Sequence, residues 1–203
     1  GAYAPLPWAS PGLADELVEL VVAPVAREMV ARGTPFSGLL YAGLALTSRG
    51  PSVIEFNCRF GDPETQAVLP LLDVDLVQLL ASAARGDLGD AAVATADASA
   101  VPVVLASENY PADGDRGSEI TGVAEAEASG ALVFHAGTAL HGHRLVTNGG
   151  RVLAVTGTGS SIDDARAQAY SAAACIHFAG ARYRTDIAAS AAAGATFSLV
   201  PER

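Results

Sequence analysis

The apolar residues of this chain change their period near its midpoint, and that switch constrains the fold more than any other feature. Before residue 86 the pattern is mainly helical. Leu13, Leu17, Leu20, Val21, Val25 and Met29 recur at spacings of three and four. This predicts a helix over Ala14–Arg32, stopped by Gly33 and kinked or restarted at Pro24. Leu69–Ala84 carries a second helical pattern that ends at Gly86. Between them, the apolar runs Phe36–Thr47 and Val53–Asn57 flank Ser48-Arg49-Gly50-Pro51 and predict a hairpin. Beyond about residue 100 the runs become short and strand-like: Val101–Leu105, Ala131–His135, Arg144–Thr147 and Arg151–Thr156. Asn148-Gly149-Gly150 predicts a tight hairpin between the last two. A helix is predicted from Ser161, with Ser161 and Asp164 as a capping box. Ile162, Ala165, Ala169, Ala172, Ala173 and Ile176 form its inward face. Residues 87–100 read as a linker and residues 188–203 as a loose Ala-rich tail. The expected fold class is mixed α/β (α+β) in two parts, residues 1–86 and 101–187.

Length and charge remove several functions. The 203 residues are 50% hydrophobic and 17% charged, enough to bury a core and too apolar for a disordered tail. No apolar run reaches membrane-spanning length, and Gly1-Ala2-Tyr3-Ala4-Pro5 lacks the character of a signal peptide, so a soluble, cytoplasmic protein is expected. The net charge is −10, and residues 86–130 hold nine acids against the single base Arg116. Such a surface repels phosphate backbones and anionic lipids, so neither nucleic acid nor membrane is an expected partner. All twelve basic residues are arginines, so no lysine is present to grip phosphate or act as a catalytic amine. Cys58 and Cys175 stand far apart and are expected to be small core residues in a reducing compartment.

One segment concentrates chemistry: Glu55-Phe56-Asn57-Cys58-Arg59-Phe60-Gly61-Asp62-Pro63-Glu64-Thr65-Gln66. On a strand, Glu55, Asn57 and Arg59 share one face at intervals of about 6.6 Å, while Phe56, Cys58 and Phe60 form an apolar, buried face. A carboxylate and an amide oxygen are hard ligands suited to Mg²⁺, which takes few protein ligands and fills its shell with water and phosphate. Arg59 can hold an anion bidentately beside the metal. Gly61-Asp62-Pro63 turns the chain and leaves Asp62 and Glu64 near the same mouth. Taken alone, the spacing equally describes a strand with a solvated polar face and a Glu55–Arg59 salt bridge.

From Gly38 to Leu72 the chain resembles the end of the ATP-grasp domain of the phosphoribosylamine–glycine ligase family. The likeness rests on Gly38-Leu39-Leu40-Tyr41-Ala42-Gly43-Leu44, Gly50-Pro51 and all of Glu55–Gln66. Gly1-Ala2-Tyr3-Ala4-Pro5 resembles the tail of that family's Gly-Met-Gly-Ala-Tyr-Ser-Pro loop, with Ala4 where Ser is usual. Ala106–Pro111, Phe134–Thr138, Thr147–Leu153 and Tyr183–Ile187 are similar, in order, to its C-terminal domain. The resemblance implies a C-terminal ATP-grasp subdomain followed by a small antiparallel-sheet domain with one main helix. It implies the use of ATP and Mg²⁺ (or Mn²⁺) to join glycine to 5-phosphoribosylamine through a glycyl phosphate. Glu55 and Asn57 match the family's metal ligands, and Glu55, Asn57 and Arg59 are the residues expected to face the nucleotide. Arg59 and Asp62 are the catalytic candidates, with Asp62 and Glu64 orienting substrate. The family's N-terminal domain and lid have no counterpart here. The alternatives are a non-catalytic fragment or subunit that completes a site with a separate N-terminal chain, and a different ATP-grasp enzyme such as a carboxylase. His141 and His143, flanking Gly142, read as a solvated loop rather than a metal grip, and His135 as a packed imidazole.

Overall fold

The structure is a computed structural model that describes residues 1–89 and 93–194. In chain order its helices are α1 (Leu13–Leu17), α2 (Ala23–Ala31), α3 (Glu64–Val68), α4 (Leu76–Arg85), α5 (Val123–Ala128), α6 (Ile162–Ala173) and α7 (Ala189–Ala192). Its strands are β1 (Tyr41–Thr47), β2 (Gly50–Asn57), β3 (Ser99–Ala106), β4 (Asp115–Glu119), β5 (Leu132–His135), β6 (Thr138–His141), β7 (Arg144–Gly149) and β8 (Arg151–Gly159). The fold is mixed helix and sheet, every paired strand is antiparallel, and no described helix is long and apolar enough to cross a membrane. The chain forms two compact units. One holds Gly1–Leu6, Asp62–Leu71 and the described residues from Ala96 onward; the other holds Pro7–Gly61 and the described residues of Leu72–Thr95.

The second of these units is the predicted helix and hairpin. The helix runs from Leu13 to Ala31, and Val18–Val22 is wound as a π turn just ahead of Pro24. Proline lacks the N–H that an α ladder requires, so the winding changes there instead of the helix ending. The hairpin pairs Tyr41 with Asn57, Gly43 with Glu55 and Thr47 with Gly50, and a bulge leaves Ile54 without a partner. The pattern read over Leu69–Ala84 divides into a short 3₁₀ turn at Leu69–Leu71 and α4, which Asp75 caps by accepting from the Gln78 N–H. No hydrophobic side chain described in this unit is buried. Phe56 and Phe60 are partly exposed, Ile54 is 70% exposed and Cys58 is exposed, so the expected buried face of β2 and core role of Cys58 do not hold. A two-stranded sheet has no second layer of its own to cover that face.

The other unit holds the core. β8 lies between β3 and β5, and residues 152–157 of β8 and 99–103 of β3 are buried in unbroken runs rather than alternately. Helix α6 packs on β3 and β8 through Ile162, Ala165, Ala169, Ala172 and Ala173, as its sequence predicted, and the Ser161 hydroxyl caps it. The approach is close enough that a Cβ on Gly157 would sit against the Ala165 carbonyl oxygen and 2.5 Å from the Ala169 nitrogen. Small residues on both surfaces are therefore a packing requirement. Asn148-Gly149-Gly150 is not a hairpin turn. β7 pairs with β4 and β6, β8 pairs with β3 and β5, and none of the three residues takes a positive φ. The segment is instead a corner between two sheets, where a Cβ on Gly137 would meet the Gly149 Cα at 2.9 Å. The actual tight hairpin joins β6 to β7 through Gly142 (φ 63°) and His143. β4, β6 and α5 were not foreseen. Of the expected linker, Ser99 and Ala100 belong to β3, and residues 90–92 lie outside the described residues. Of the expected tail, Ala188 and Ala191 are buried with Val101, Ile162 and Ile187, and residues 195–203 lie outside the described residues.

Thr147, 1% exposed, joins β7 to β4: its hydroxyl donates to the Asp115 carboxylate (2.7 Å) and accepts from the Ser118 N–H (3.0 Å). Bonds from the Ser118 side chain and from Thr147 hold the Asp115 carboxyl below its ordinary pKa. A depressed carboxyl stabilises the fold above its unfolded value of about 3.9, and that contribution disappears as pH falls through the folded value. Thr147→Val preserves the shape but strands the Ser118 N–H, at an expected cost of about 1–3 kcal/mol. Amide exchange in β4 and β7 should accelerate accordingly, and Asp115→Asn should flatten the loss of protection below about pH 4. Unchanged exchange in both variants would contradict this account.

Candidate functional site

The strand face that sequence spacing singled out is formed at the end of β2. Glu55 and Asn57 lie side by side, and the Asn57 amide donates to Glu55 Oε1 at 2.8 Å. That bond uses the Asn57 nitrogen and one carboxylate oxygen, leaving Asn57 Oδ1 and Glu55 Oε2 as two hard oxygens on neighbouring side chains. The pair fits the demands of Mg²⁺, which accepts one or two protein oxygens and completes its octahedron with water and phosphate. Among the described residues there is no cluster of three or more His, Cys, Asp or Glu side chains, so a site built wholly from such residues is not available. Across the hairpin from Glu55 is Gly43, and a Cβ there would stand 3.3 Å from the Glu55 Cγ. The missing side chain leaves Glu55 room over the neighbouring strand.

The remaining candidates are dispersed. β2 ends at Asn57, so Arg59 lies past the strand, exposed, with Nη1 donating to the Phe60 carbonyl at 2.8 Å. Glu55 bonds Asn57 rather than Arg59. Asp62 and Glu64 belong to the other unit, Glu64 opening α3. The Asp62 carboxylate accepts from Gln66 Nε2 (2.9 Å) and faces Arg151 Nη2 (3.3 Å), while Arg151 Nη1 donates to the Asp62 carbonyl (2.8 Å). His141 and His143 are exposed on the β6–β7 turn, and His135, exposed rather than packed, meets Thr138 Oγ1 at 3.1 Å. Tyr3 packs against the Val101 cluster.

That other unit also contains a cavity of about 380 Å³, which sequence reasoning did not single out as a site. Three arginines line it, Arg151, Arg182 and Arg184, together with Glu108 and Tyr110. Two of them are set by the end of β3: Ala106 faces Arg151 of β8 and forms a reciprocal backbone bridge with Arg182 (2.7 and 2.8 Å). Arg184 is set from α6, whose Tyr170 hydroxyl donates to the Arg184 carbonyl (2.7 Å) and accepts from the Ile187 N–H (3.1 Å). Arg166 stacks 4.8 Å above the Tyr170 ring and binds the Thr185 and Ile187 carbonyls. Partial burial raises the Tyr170 hydroxyl above its ordinary pKa. Asp186 grips Arg184 at 2.6 and 2.8 Å, which raises the guanidinium further and lowers the carboxyl. Arg182 pairs with Glu108 at 2.8 Å. The sequence signal was present but scattered: Arg151, Arg184 and Tyr110 each stand in a different family-like segment, and only the fold brings them to one cavity.

Comparisons with known proteins point one way. A family described as "Phosphoribosylglycinamide synthetase, ATP-grasp (A) domain" matches residues 1–65, and "Phosphoribosylglycinamide synthetase, C domain" matches residues 100–190. A phosphoribosylamine–glycine ligase of Streptomyces coelicolor is 56% identical over 196 residues, covering 95% of this chain and 47% of the relative. The human trifunctional purine biosynthetic protein adenosine-3 is 47% identical over 188 residues, covering 92% of this chain and 19% of its own length. The crystal structure of a phosphoribosylamine–glycine ligase from Thermotoga maritima superposes with a TM-score of 0.79 at 36% identity, covering 91% of this chain and 45% of that one. The chain thus spans just under half the length of the single-function ligases it matches.

The contact between Gly43 and Glu55 is testable by itself. Gly43 has no positive φ, so Gly43→Val should keep the hairpin while displacing the Glu55 side chain. Mn²⁺-induced broadening of the Asn57 amide side-chain resonance should then weaken, with the β1–β2 amide shifts otherwise retained. Equal broadening in both proteins would show that Gly43 does not set the position of Glu55.

Proposed function

The chain belongs to the phosphoribosylglycinamide synthetase (phosphoribosylamine–glycine ligase) family, and from that premise we propose that it supplies the C-terminal half of a cytoplasmic ligase. The reaction joins glycine to 5-phosphoribosylamine at the expense of ATP. Glycine's carboxylate attacks the γ-phosphorus and ADP leaves; the amine of phosphoribosylamine then attacks the resulting glycyl phosphate, loses a proton and expels inorganic phosphate. The observation that carries the reading is the Glu55–Asn57 pair, side by side on β2 inside the segment that most resembles the family.

In this scheme Glu55 Oε2 and Asn57 Oδ1 hold a divalent cation, Mg²⁺ or Mn²⁺. The cation, when bound, offsets charge on the transferring phosphoryl group. Arg59 is free to trade its bond to a neighbouring carbonyl for a bidentate grip on an anion, a stronger, charge-assisted contact. Asp62 acts as a positioning residue: Gln66 and Arg151 already occupy its carboxylate, so its role is to fix the turn that carries Pro63 and Glu64.

One observation also favours the reading in which the site is completed by further polypeptide. The unit that carries Glu55 buries none of its described hydrophobic side chains, and the chain has no lysine. An acyl-phosphate route requires ATP enclosed and its phosphates neutralised. The isolated 203-residue chain should therefore form no ADP with ATP, Mg²⁺, glycine and phosphoribosylamine, and turnover should appear on adding the N-terminal half of a relative. In that reconstituted enzyme Glu55→Ala should lower kcat by about 10²-fold or more, and Arg59→Lys should slow glycine-dependent ATP hydrolysis. Near-normal turnover of Glu55→Ala at ordinary Mg²⁺ would remove the metal role, and turnover by the isolated chain would remove the need for completion.

A further inference from the structure

We propose that Tyr41 is a positioning residue of the Glu55–Asn57 cation site, its ring forming the wall that holds Glu55 Oε2 and Asn57 Oδ1 toward one metal. This rests on the ligase reading, in which the pair takes a divalent cation, and adds a third side chain to the site. The register of the hairpin brings the three together. Tyr41 of β1 stands directly opposite Asn57 of β2, and Gly43 stands opposite Glu55. Tyr41 is therefore the direct cross-strand neighbour of Asn57 and the diagonal neighbour of Glu55, a separation that aromatic and long side chains span. Residues two apart on a strand share a face, so Tyr41 and Gly43 belong to the side that carries the pair.

Gly43 decides where the ring lies. A Cβ on Gly43 would stand 3.6 Å from Tyr41 Cε1 and 3.3 Å from Glu55 Cγ. The ring thus leans along its own strand, over the glycine, and meets the space that Glu55 enters from the opposite strand. Beyond Gly43 the polar row stops, because the bulge at Ile54 shifts the register and the next pair, Leu44 with Val53, falls on the other face. Tyr41 and Asn57 are half-buried, whereas Glu55 is exposed. A glutamate on an open two-stranded sheet samples several rotamers. A ring beside it removes some of them before a cation arrives, so less conformational entropy is lost on binding. The ring also withholds water from one side of the pair, which strengthens the attraction between cation and oxygen. These effects belong to the ring, so phenylalanine should replace Tyr41 and a ringless side chain should not.

The test uses the 203-residue chain with Mn²⁺ or Tb³⁺ and no nucleotide, so it does not depend on catalysis. In the parent, Mn²⁺ should broaden both the Asn57 side-chain amide and the Tyr41 ring resonances, and Tb³⁺ should emit when tyrosine is excited. Tyr41→Phe should lose the Tyr41 share of that emission and keep the parent's Mn²⁺ affinity. Glu55→Gln should lose the same share of emission. Tyr41→Ala should weaken Mn²⁺ at Asn57 by about tenfold or more, the scale of a lost partner behind a metal ligand. Tyr41→Val, a strong strand former without a ring, should weaken it equally and guards against an alanine variant that loosens the hairpin. In the reconstituted ligase, Tyr41→Val should raise the Mg²⁺ concentration needed for half-maximal rate, and Tyr41→Phe should not. Equal Mn²⁺ affinity in the parent and Tyr41→Val overturns the proposal and leaves the cation at Glu55 and Asn57. Unchanged Tb³⁺ emission in Tyr41→Phe also overturns it, because the ring then stands away from the metal. A parent chain in which Mn²⁺ leaves Asn57 unbroadened removes the metal reading and the proposal with it.

Discussion

Strand β8 is the constraint on which the larger unit depends. It pairs on both edges, and its central residues are buried, so its sequence, Arg-Val-Leu-Ala-Val-Thr-Gly-Thr-Gly, must be apolar in the middle and small where α6 lies across it. Complete burial of a paired strand satisfies its backbone and removes apolar surface from water at about 25 cal/mol per Å². Its first residue is Arg151, and the corner before it sends the chain out of a different sheet. The strand that anchors the core therefore also delivers an arginine to the cavity rim, and Thr156 ties it to α3 by donating to the Gln66 carbonyl at 3.2 Å.

The smaller unit works on other physics. With no described hydrophobic side chain buried, its order comes from backbone pairing and helix winding rather than from a core. The Glu55–Asn57 pair is still well defined, because strand geometry alone sets residues two apart on one face and Gly43 clears the space opposite. The unit's large apolar side chains stay in solvent, Ile54 at 70% and Val77 at 73% exposure.

Local patterns were legible in the sequence, and pairings between distant segments were not. The β1–β2 hairpin, α6 with its Ser161 cap and the Glu55–Asn57 face all follow from neighbours a few residues apart, where period and capping chemistry decide. The corner at Asn148-Gly149-Gly150 was misread because the same residues serve a tight turn and a close crossing of backbones, and only the second sheet distinguishes them. β4 and β6 were missed because Asp115–Glu119 is short and polar and Thr138–His141 is only four residues long, both held by pairing to β7 rather than by apolar alternation. The arginine cavity was illegible for a related reason: Arg151 lies more than thirty positions from Arg182 and Arg184 and is brought to them by the pairing of both Arg151 and Arg182 with Ala106. The expected tail failed at Ala188 and Ala191, whose small side chains fill gaps beside Val101 that composition does not reveal.

The most direct measurement of the central claim is a crystal structure of the completed ligase carrying this sequence, with Mg²⁺ and a non-hydrolysable ATP analogue. The account predicts Mg²⁺ at about 2.1 Å from a Glu55 carboxylate oxygen and from Asn57 Oδ1, its remaining positions filled by phosphate and water. A metal–nucleotide complex bound elsewhere, with both of those oxygens left to solvent, would contradict it.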